Sequence, residues 1–350
     1  MAQLFYAMTM PGLETLAFSE MRAKIADVEQ VKFARGIVLF RTSAHPSELL
    51  DIRTTEDIYF TLAHIKGLGH GQDALRVLHS ATLHADLETG LATWRRARGG
   101  TIPRTWRVVS QKTGSHDFRR MDAGKAVHDA LRSALPRKMH AVDDDADLEV
   151  WLWLSGSEAF VGIRLSDATM RHRQYKLEHL PASLRPTVAA AMGWVSQPTG
   201  EDTILDPLCG AGTLVIERAL LAPYSKLIGG DIRKEAVAMA QRNARAADVG
   251  ARWHTWNARA LPLDANSVTR ILTNLPFGKQ IGAGEDLDKL YHALIEEFGR
   301  VLTDDGLMVT LTSEDRLLAQ VLREQNWHVV KKMVLVVLGL PASIFVAQRG

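Results

Sequence analysis

At 350 residues, 46% hydrophobic and 23% charged, the chain is long enough for two or three domains with separate cores and has the composition of an ordinary globular protein. A formal net charge of +2 says nothing of partners by itself, and the single cysteine, Cys209, excludes an intramolecular disulfide and fits a reducing compartment. The N-terminus lacks a basic segment followed by a long apolar run, and no uninterrupted apolar stretch reaches about 18 residues, so no signal peptide or membrane span is expected and the cytoplasm is the expected location.

In chain order, Leu4–Met8 alternates and reads as a strand, Pro11-Gly12 breaks it, and Leu13–Ile25 carries apolar residues at helical spacing. Val31–Arg41 is β-rich and Glu48–Ala63 returns to a helical pattern, which gives a small α+β unit over 1–66. Gly67–Gly71 is a flexible break. Beyond it Ala74–Arg96 is predicted helical, Arg104–Ser110 a strand and Gly124–Leu135 a helix. Leu148–Leu154 and Ala159–Leu165 are strands joined at Ser155–Glu158 in a hairpin.

Charge is unevenly spread. From Ala92 to His140 twelve basic side chains stand against three acidic ones, among Trp94, Trp106, His116 and Phe118. A second cluster, Arg164, Arg171, Arg173 and Lys176, follows the hairpin. Such a concentration is the footprint of a nucleic-acid surface, and equally that of a solvated basic face around core aromatics. The candidate RNA contacts are Arg95, Arg96, Arg104, Lys112, His116, Arg119, Arg120, Lys125 and Arg173.

The runs TWRVVSQKTGSHDFRRMDAGKAVHDAL, DADLEVWLWLSGSEAFVGIRLSD and RHRQYK resemble a THUMP domain, a module of RNA-modifying enzymes. TMPGLETLAFSEM with RGIVLF resembles the ferredoxin-like unit that often precedes it. The resemblance implies binding of structured RNA, in tRNA-modifying members at the acceptor end. It does not transfer individual contacts, because that surface varies among relatives.

Ser166–Ala182 reads as a linker with few core residues, and Ser183 as the N-cap of a helix that continues through Met192. HLPASLRPTVAAAM resembles the segment that opens the catalytic domain of THUMP-containing methyltransferases and lies under the cofactor, which nominates Pro186 and Thr187.

From Thr203 strands and helices alternate. Thr203–Leu208 is a short apolar strand, Cys209-Gly210-Ala211-Gly212-Thr213 a turn of small residues, and the run from Leu214 a helix. Strand, glycine turn and helix present bare N–H groups to a ligand, as nicotinamide, flavin and S-adenosylmethionine enzymes all do. Lys226–Asp231, Arg252–Trp256, Arg270–Asn274 and Gly306–Thr312 read as strands, with helices at Lys234–Ala247, Asp288–Leu302 and Arg316–Arg323. The last two strands, His328–Leu338 and Ser343–Ala347, are separated only by Gly339-Leu340-Pro341. Parallel neighbours need a crossover of about a dozen residues or more, so this connection permits only an antiparallel hairpin. A doubly wound sheet ending so resembles the S-adenosylmethionine-dependent methyltransferases and disfavours a nicotinamide dehydrogenase.

Asp231, about 20 residues past the glycine turn, can accept the hydroxyls of an adenosine ribose; capping the helix that follows is compatible with that task. The resemblance implies that Asp206, Cys209, Gly210, Gly212 and Thr213 line the methionine end of the cofactor, Asp231 and Ile232 the ribose side, and Asn257 with Ala258 the adenine. Asn257 stands where the family usually has aspartate.

Thr273-Asn274-Leu275-Pro276-Phe277-Gly278 follows a strand and resembles the (Asn/Asp)-Pro-Pro-(Tyr/Phe) motif of enzymes that methylate amines on planar rings. Such an amine is a poor nucleophile because its lone pair is delocalised. The Asn274 oxygen, which also borders the cofactor, and the Leu275 carbonyl can hold its two N–H groups; Pro276 shapes the loop and Phe277 stacks on an extracted base. Leu275 replaces the first proline, a variant of THUMP methyltransferases acting on guanine N2. Cys209 as a pyrimidine-type nucleophile is disfavoured by its place in the turn, and no histidine or cysteine has metal-ligand spacing.

The expected fold class is α/β: a ferredoxin-like domain (1–66), a THUMP domain (67–165), a linker (166–182) and a Rossmann-fold methyltransferase domain with a terminal antiparallel hairpin (183–350). The expected function is S-adenosylmethionine-dependent formation of N2-methylguanosine in RNA, tRNA first, near the acceptor stem. Its rivals are the guanine or adenine amines of ribosomal or small nuclear RNA, and a non-catalytic RNA-binding scaffold. No metal or membrane partner is expected, and a monomer is compatible with the sequence.

Overall fold

The computed structural model describes residues 2–180, 183–276, 286–337 and 340–350. The chain builds two β-sheets, one in each of two units: Met1–Met8, Met21–Ile52 and Asp57–Asp167, and Thr9–Glu20, Arg53–Glu56 and Ala168–Gly350.

The first 167 residues form β1 (Gln3–Met8), α1 (Glu14–Lys24), β2 (Glu29–Ala34), β3 (Ile37–Thr42), a 3-10 turn (Glu48–Asp51), β4 (Asp57–Lys66), α2 (Asp73–Leu83), α3 (Leu87–Ala97), β5 (Thr105–Thr113), α4 (Arg120–Ala134), β6 (His140–Ala141), β7 (Leu148–Ser155) and β8 (Glu158–Arg164). Their sheet runs β2-β3-β1-β4-β8-β7-β5-β6. β4 pairs antiparallel with β8, so the segments before and after Gly67 share one continuous sheet.

The remainder forms α5 (Ala168–His172), α6 (Pro186–Val195), β9 (Thr203–Asp206), α7 (Thr213–Leu221), β10 (Lys226–Asp231), α8 (Lys234–Ala246), β11 (Arg252–Thr255), β12 (Val268–Asn274), α9 (Leu287–Val301), β13 (Leu302–Thr312), α10 (Asp315–Glu324), β14 (Trp327–Val337) and β15 (Leu340–Arg349). The sheet order is β11-β10-β9-β12-β13-β15-β14. The first five strands are parallel, and β15 is antiparallel to both β13 and β14. The predicted terminal hairpin is therefore present; residues 338 and 339 of its connection lie outside the described residues.

Alternation along the strands supplies a core on each face of this sheet. Ile204 joins Val188, Val215, Val309 and Ile344 on one side, together with Met10, Leu13 and Leu16 of the N-terminal segment. Leu205 joins Ile271, Phe298, Met308, Leu318 and Phe345 on the other. The chain leaves β9 in opposite directions, to β10 and to β12, and that switch point places a crevice at the carboxyl ends of the three strands.

Four local expectations are corrected. Glu48–Ala63 is not a helix but a 3-10 turn followed by β4, whose first five residues are all buried. A strand buried on both faces loses its period-two signature, and its aromatic and β-branched residues then match a helical template by coincidence. Ala74–Arg96 is two helices, because Asp86 caps α3 by accepting from the Thr89 N–H. Ser183 is not the N-cap of α6; Arg185 is, with Pro186 at the first helical position. Proline keeps its predecessor extended and fixes the helix start there. The linker does hold core residues, since Met170 and Tyr175 are buried.

Candidate active site

β9 delivers Asp206 to the floor of the crevice. Its neighbours at the same level are Gly229 of β10 and, one residue past the Ile271–Leu205 pair, Leu272 of β12. Both neighbouring strands run two residues further, so Asp231 and Asn274 stand on either side of a notch above Asp206. Burial pushes the Asp206 carboxyl up to about 7, and the negative charge of Asp231 adds to the rise.

The turn after Asp206 is tied to both flanks. The Leu208 N–H donates to Asp206 Oδ1 (3.1 Å), the Cys209 N–H to the Gly230 carbonyl (2.8 Å) and the Gly210 N–H to Asp231 Oδ2 (3.1 Å). Gly212 caps α7 at φ +82°, and a Cβ there would stand 2.9 Å from both Ala240 Cβ and the Trp253 ring, so only glycine fits. Thr213 opens α7, whose first-turn N–H groups have no intrahelical acceptors. Cys209 is a buried thiol raised well above its ordinary value, mainly by burial, which removes the thiolate that a nucleophile needs.

Asp231 Oδ1 accepts from the backbone N–H (2.9 Å) and Nε (3.2 Å) of Arg233, a side chain 57% exposed and free to swing aside. Oδ2 keeps a lone pair for a diol, and Oδ1 gains one when the Arg233 side chain swings aside. Ile232 is 63% exposed beside it, an apolar surface at the mouth of the crevice. Trp256 packs beneath, donating to the Pro207 carbonyl (3.2 Å), and its ring occupies the space a side chain at Gly230 would need. Asn257 is exposed and its Oδ1 accepts from the Arg259 N–H (3.1 Å), while Ala258 is buried. Pro186 and Thr187 form the buried first turn of α6.

On the other flank Asn274 Oδ1 is buried and has no hydrogen-bond partner among the described residues. Leu275 is fully buried and its N–H donates to the Leu311 carbonyl (3.0 Å), continuing the β12–β13 ladder. The Pro276 carbonyl accepts from the Tyr291 hydroxyl (3.0 Å), which also meets Thr312 Oγ1 (2.7 Å). Phe277 lies outside the described residues.

The basic candidates fall mostly on one unit. Arg96, Arg104, Arg119, Arg120 and Lys125 are exposed, and Arg95 is half-buried at the end of α3. Lys125 pairs with Asp129 (2.6 Å), an exposed bridge of little worth. His116 stacks on His70 at 4.7 Å, and the Lys112 Nζ lies 5.6 Å from the Phe118 ring. Arg173 is corrected: its side chain is 7% exposed and its Nε donates to Glu217 (3.1 Å), so its charge is neutralised inside the fold.

Sequence reasoning missed Tyr291, Trp256, Glu217 and Asn243. A hydroxyl on the apolar stripe of α9 and a carboxylate on that of α7 were the available signals, since a polar group in such a position demands a partner. Among the described residues no group of three or more metal-ligand side chains is placed to hold an ion, and no helix is long and apolar enough to cross a membrane.

The chain matches the model of the family described as UPF0020, RMKL-like methyltransferase domain, over residues 173–340. It is 26% identical over 353 residues to a tRNA (guanine(6)-N2)-methyltransferase of Archaeoglobus fulgidus, covering 91% of this chain and 86% of that one. A protein of the same description from Thermus thermophilus is 28% identical over 323 residues, with 90% and 91% covered. The crystal structure of TrmN from Thermus thermophilus superposes with a TM-score of 0.81 at 25% identity, over 99% of this chain and 100% of that one.

Proposed function

We propose that this chain, which belongs to the THUMP-associated RNA guanine-N2 methyltransferase family, methylates the exocyclic N2 amine of a guanine in tRNA, at position 6 as its two relatives' names state. The observation that carries the chemistry is the orphaned Asn274 oxygen at the end of β12. A buried acceptor without a partner costs about 1–3 kcal/mol, and a two-proton amine arriving at the crevice would repay it.

The crevice suits S-adenosylmethionine. Asp206 offers a carboxylate to its ammonium, the Cys209–Thr213 turn lines its methionine end where the α7 N-terminus offers N–H groups to its carboxylate, Asp231 accepts from the ribose hydroxyls, and Ile232 gives the adenosine an apolar neighbour. When bound, the cofactor supplies an electrophilic methyl group on a sulfonium centre.

The protein's own work is then positioning. Asn274 Oδ1 and the Leu275 carbonyl accept the two N–H groups, turning the nitrogen lone pair out of conjugation and towards the methyl group. Tyr291 holds the Pro276 carbonyl, and so the loop that presents this acceptor pair. No strong base is required, because the proton is lost after the amine has become cationic.

The exposed Arg96, Arg104, Arg119, Arg120 and Lys125, with the half-buried Arg95, Lys112 and His116, support the reading of the first unit as the RNA-binding part, divided as ferredoxin-like (1–66) and THUMP (67–165). The methyltransferase domain would then span 183–350, after the connecting segment 166–182. Asn274→Ala tests the mechanism: it is expected to bind cofactor and tRNA as the parent does while methyl transfer falls about 100-fold or more. Full activity in that variant contradicts the assignment.

A further inference from the structure

Residues 173–180 are fastened to the two helices that flank the glycine turn. Glu217 of α7 is fully buried. It accepts from Tyr175 Oη (2.7 Å), from Arg173 Nε (3.1 Å) and from Arg53 Nε and Nη2 (2.8 and 2.9 Å). Three residues after Tyr175 comes a second fastening, on α8. Asn243 is fully buried, and its Oδ1 accepts from the Glu178 N–H (3.1 Å). Its Nδ2 donates both to the Glu178 carbonyl (2.9 Å) and to the Ala211 carbonyl (3.0 Å). Outside it, Arg242 Nη2 donates to Glu178 Oε2 (2.8 Å). Leu180 then lies against the turn, its Cδ1 3.6 Å from where a Cβ on Gly210 would stand.

We propose that Asn243 is the positioning residue of the cofactor site: one carboxamide bonds the 173–180 strap to the peptide at the centre of the glycine turn, making the strap a wall of the pocket for the methionine end of S-adenosylmethionine. This rests on the reading of Asp206–Thr213 as the cofactor turn. Ala211 lies between the two glycines, and the Gly212 N–H of the same peptide donates to the Cys209 carbonyl (2.8 Å), so fixing the Ala211 carbonyl fixes the turn that leads into the α7 N-terminus. The residue type is dictated by the donor count: two carbonyls and one N–H converge, which matches two amide protons and one amide oxygen. An aspartate of the same size has no donor, and would set its charge against two carbonyl oxygens.

The test compares the full-length parent, Asn243→Asp, Asn243→Ala and Arg242→Ala in two measurements. The first is the Kd of S-adenosylhomocysteine by isothermal titration. The second is the rate of tryptic cleavage at Arg173 and Lys176 under native conditions. Asn243→Asp and Asn243→Ala are expected to weaken binding about tenfold or more, to speed cleavage of the strap, and to raise the KM for S-adenosylmethionine while kcat at saturation stays within about twofold. Arg242→Ala, which removes only an exposed ion pair and leaves the Ala211 bond intact, is expected to stay within about threefold of the parent in both measurements. Parent-like Kd and cleavage in a folded Asn243→Asp protein overturn the proposal. If neither of these Asn243 variants folds, an Asn243→Ser protein with parent-like Kd and cleavage overturns it. A parent that binds no S-adenosylhomocysteine contradicts the cofactor reading instead, and the cleavage rates still decide whether Asn243 holds the strap.

Discussion

Raising the pH from 5.5 to 7 should tighten binding of S-adenosylhomocysteine about fifteenfold, because Asp206 has to ionise for the proposed contact with the ligand's ammonium group. The Asp206 carboxyl is held up to about 7 by burial, with Asp231 adding repulsion and the Leu208 N–H opposing. With that value about 3% of free protein is ionised at pH 5.5 and half at pH 7, and their ratio is the affinity gain. A cation binding beside the carboxylate expels its proton. Titration calorimetry at pH 6, in two buffers of different ionisation enthalpy, should therefore report nearly one proton released per ligand bound, falling towards zero above about pH 8. Asp206→Asn should bind more weakly than the parent at pH 7, with no proton release and a flat pH profile. Flat affinity in the parent, or proton release that persists in Asp206→Asn, refutes the reasoning.

The same carboxyl bears on stability. Its folded value lies above its unfolded one, so the ligand-free protein binds the extra proton, and its stability falls as pH rises from about 4 to about 7. Asp206→Asn should lift the melting temperature at pH 7.5 and lose more than half of that advantage at pH 5, with at most about 4 kcal/mol at stake. Asp231→Ala removes the acceptor proposed for the ribose and should raise the cofactor Kd about tenfold or more by titration calorimetry. Tyr291→Phe frees the Pro276 carbonyl; kcat should fall about tenfold with cofactor Kd unchanged, and Thr312→Ser should remain closer to the parent than Thr312→Val. Glu217→Gln leaves Arg53 and Arg173 without their shared counter-charge and should cost about 3–5 kcal/mol in denaturant unfolding, because a buried ion pair broken on one side exposes the loss in full.

What could be read from the sequence was what is local. The turn Asp206–Thr213, the Asp231 carboxylate and the Asn274-Leu275-Pro276 run each combine a strand end with the residues that follow it, and the short terminal connection permits only one strand direction. Elements defined by distant partners were misread. β4 lies between β1 and β8 with its first residues buried, which erases the alternation that marks a strand. Arg173 counted as surface charge because its partner Glu217 is 44 residues away. The strap 173–180 resembled a linker because the partners that hold Arg173, Tyr175 and Glu178 stand on α7 and α8, more than 40 residues away. Asn257 illustrates a third limit: its position in the chain was clear, but its oxygen already serves the Arg259 N–H, which only the folded turn reveals.

The most direct measurement is methyl transfer itself. The protein is incubated with methyl-labelled S-adenosylmethionine and an unmodified tRNA transcript carrying guanine at position 6, and the RNA is digested to nucleosides for mass spectrometry. Label is expected in N2-methylguanosine, lost when position 6 is changed to adenine and absent with Asn274→Ala. Label in N6-methyladenosine would contradict the choice of base, and no label in tRNA, with the cofactor bound and the protein folded, would contradict the account as a whole.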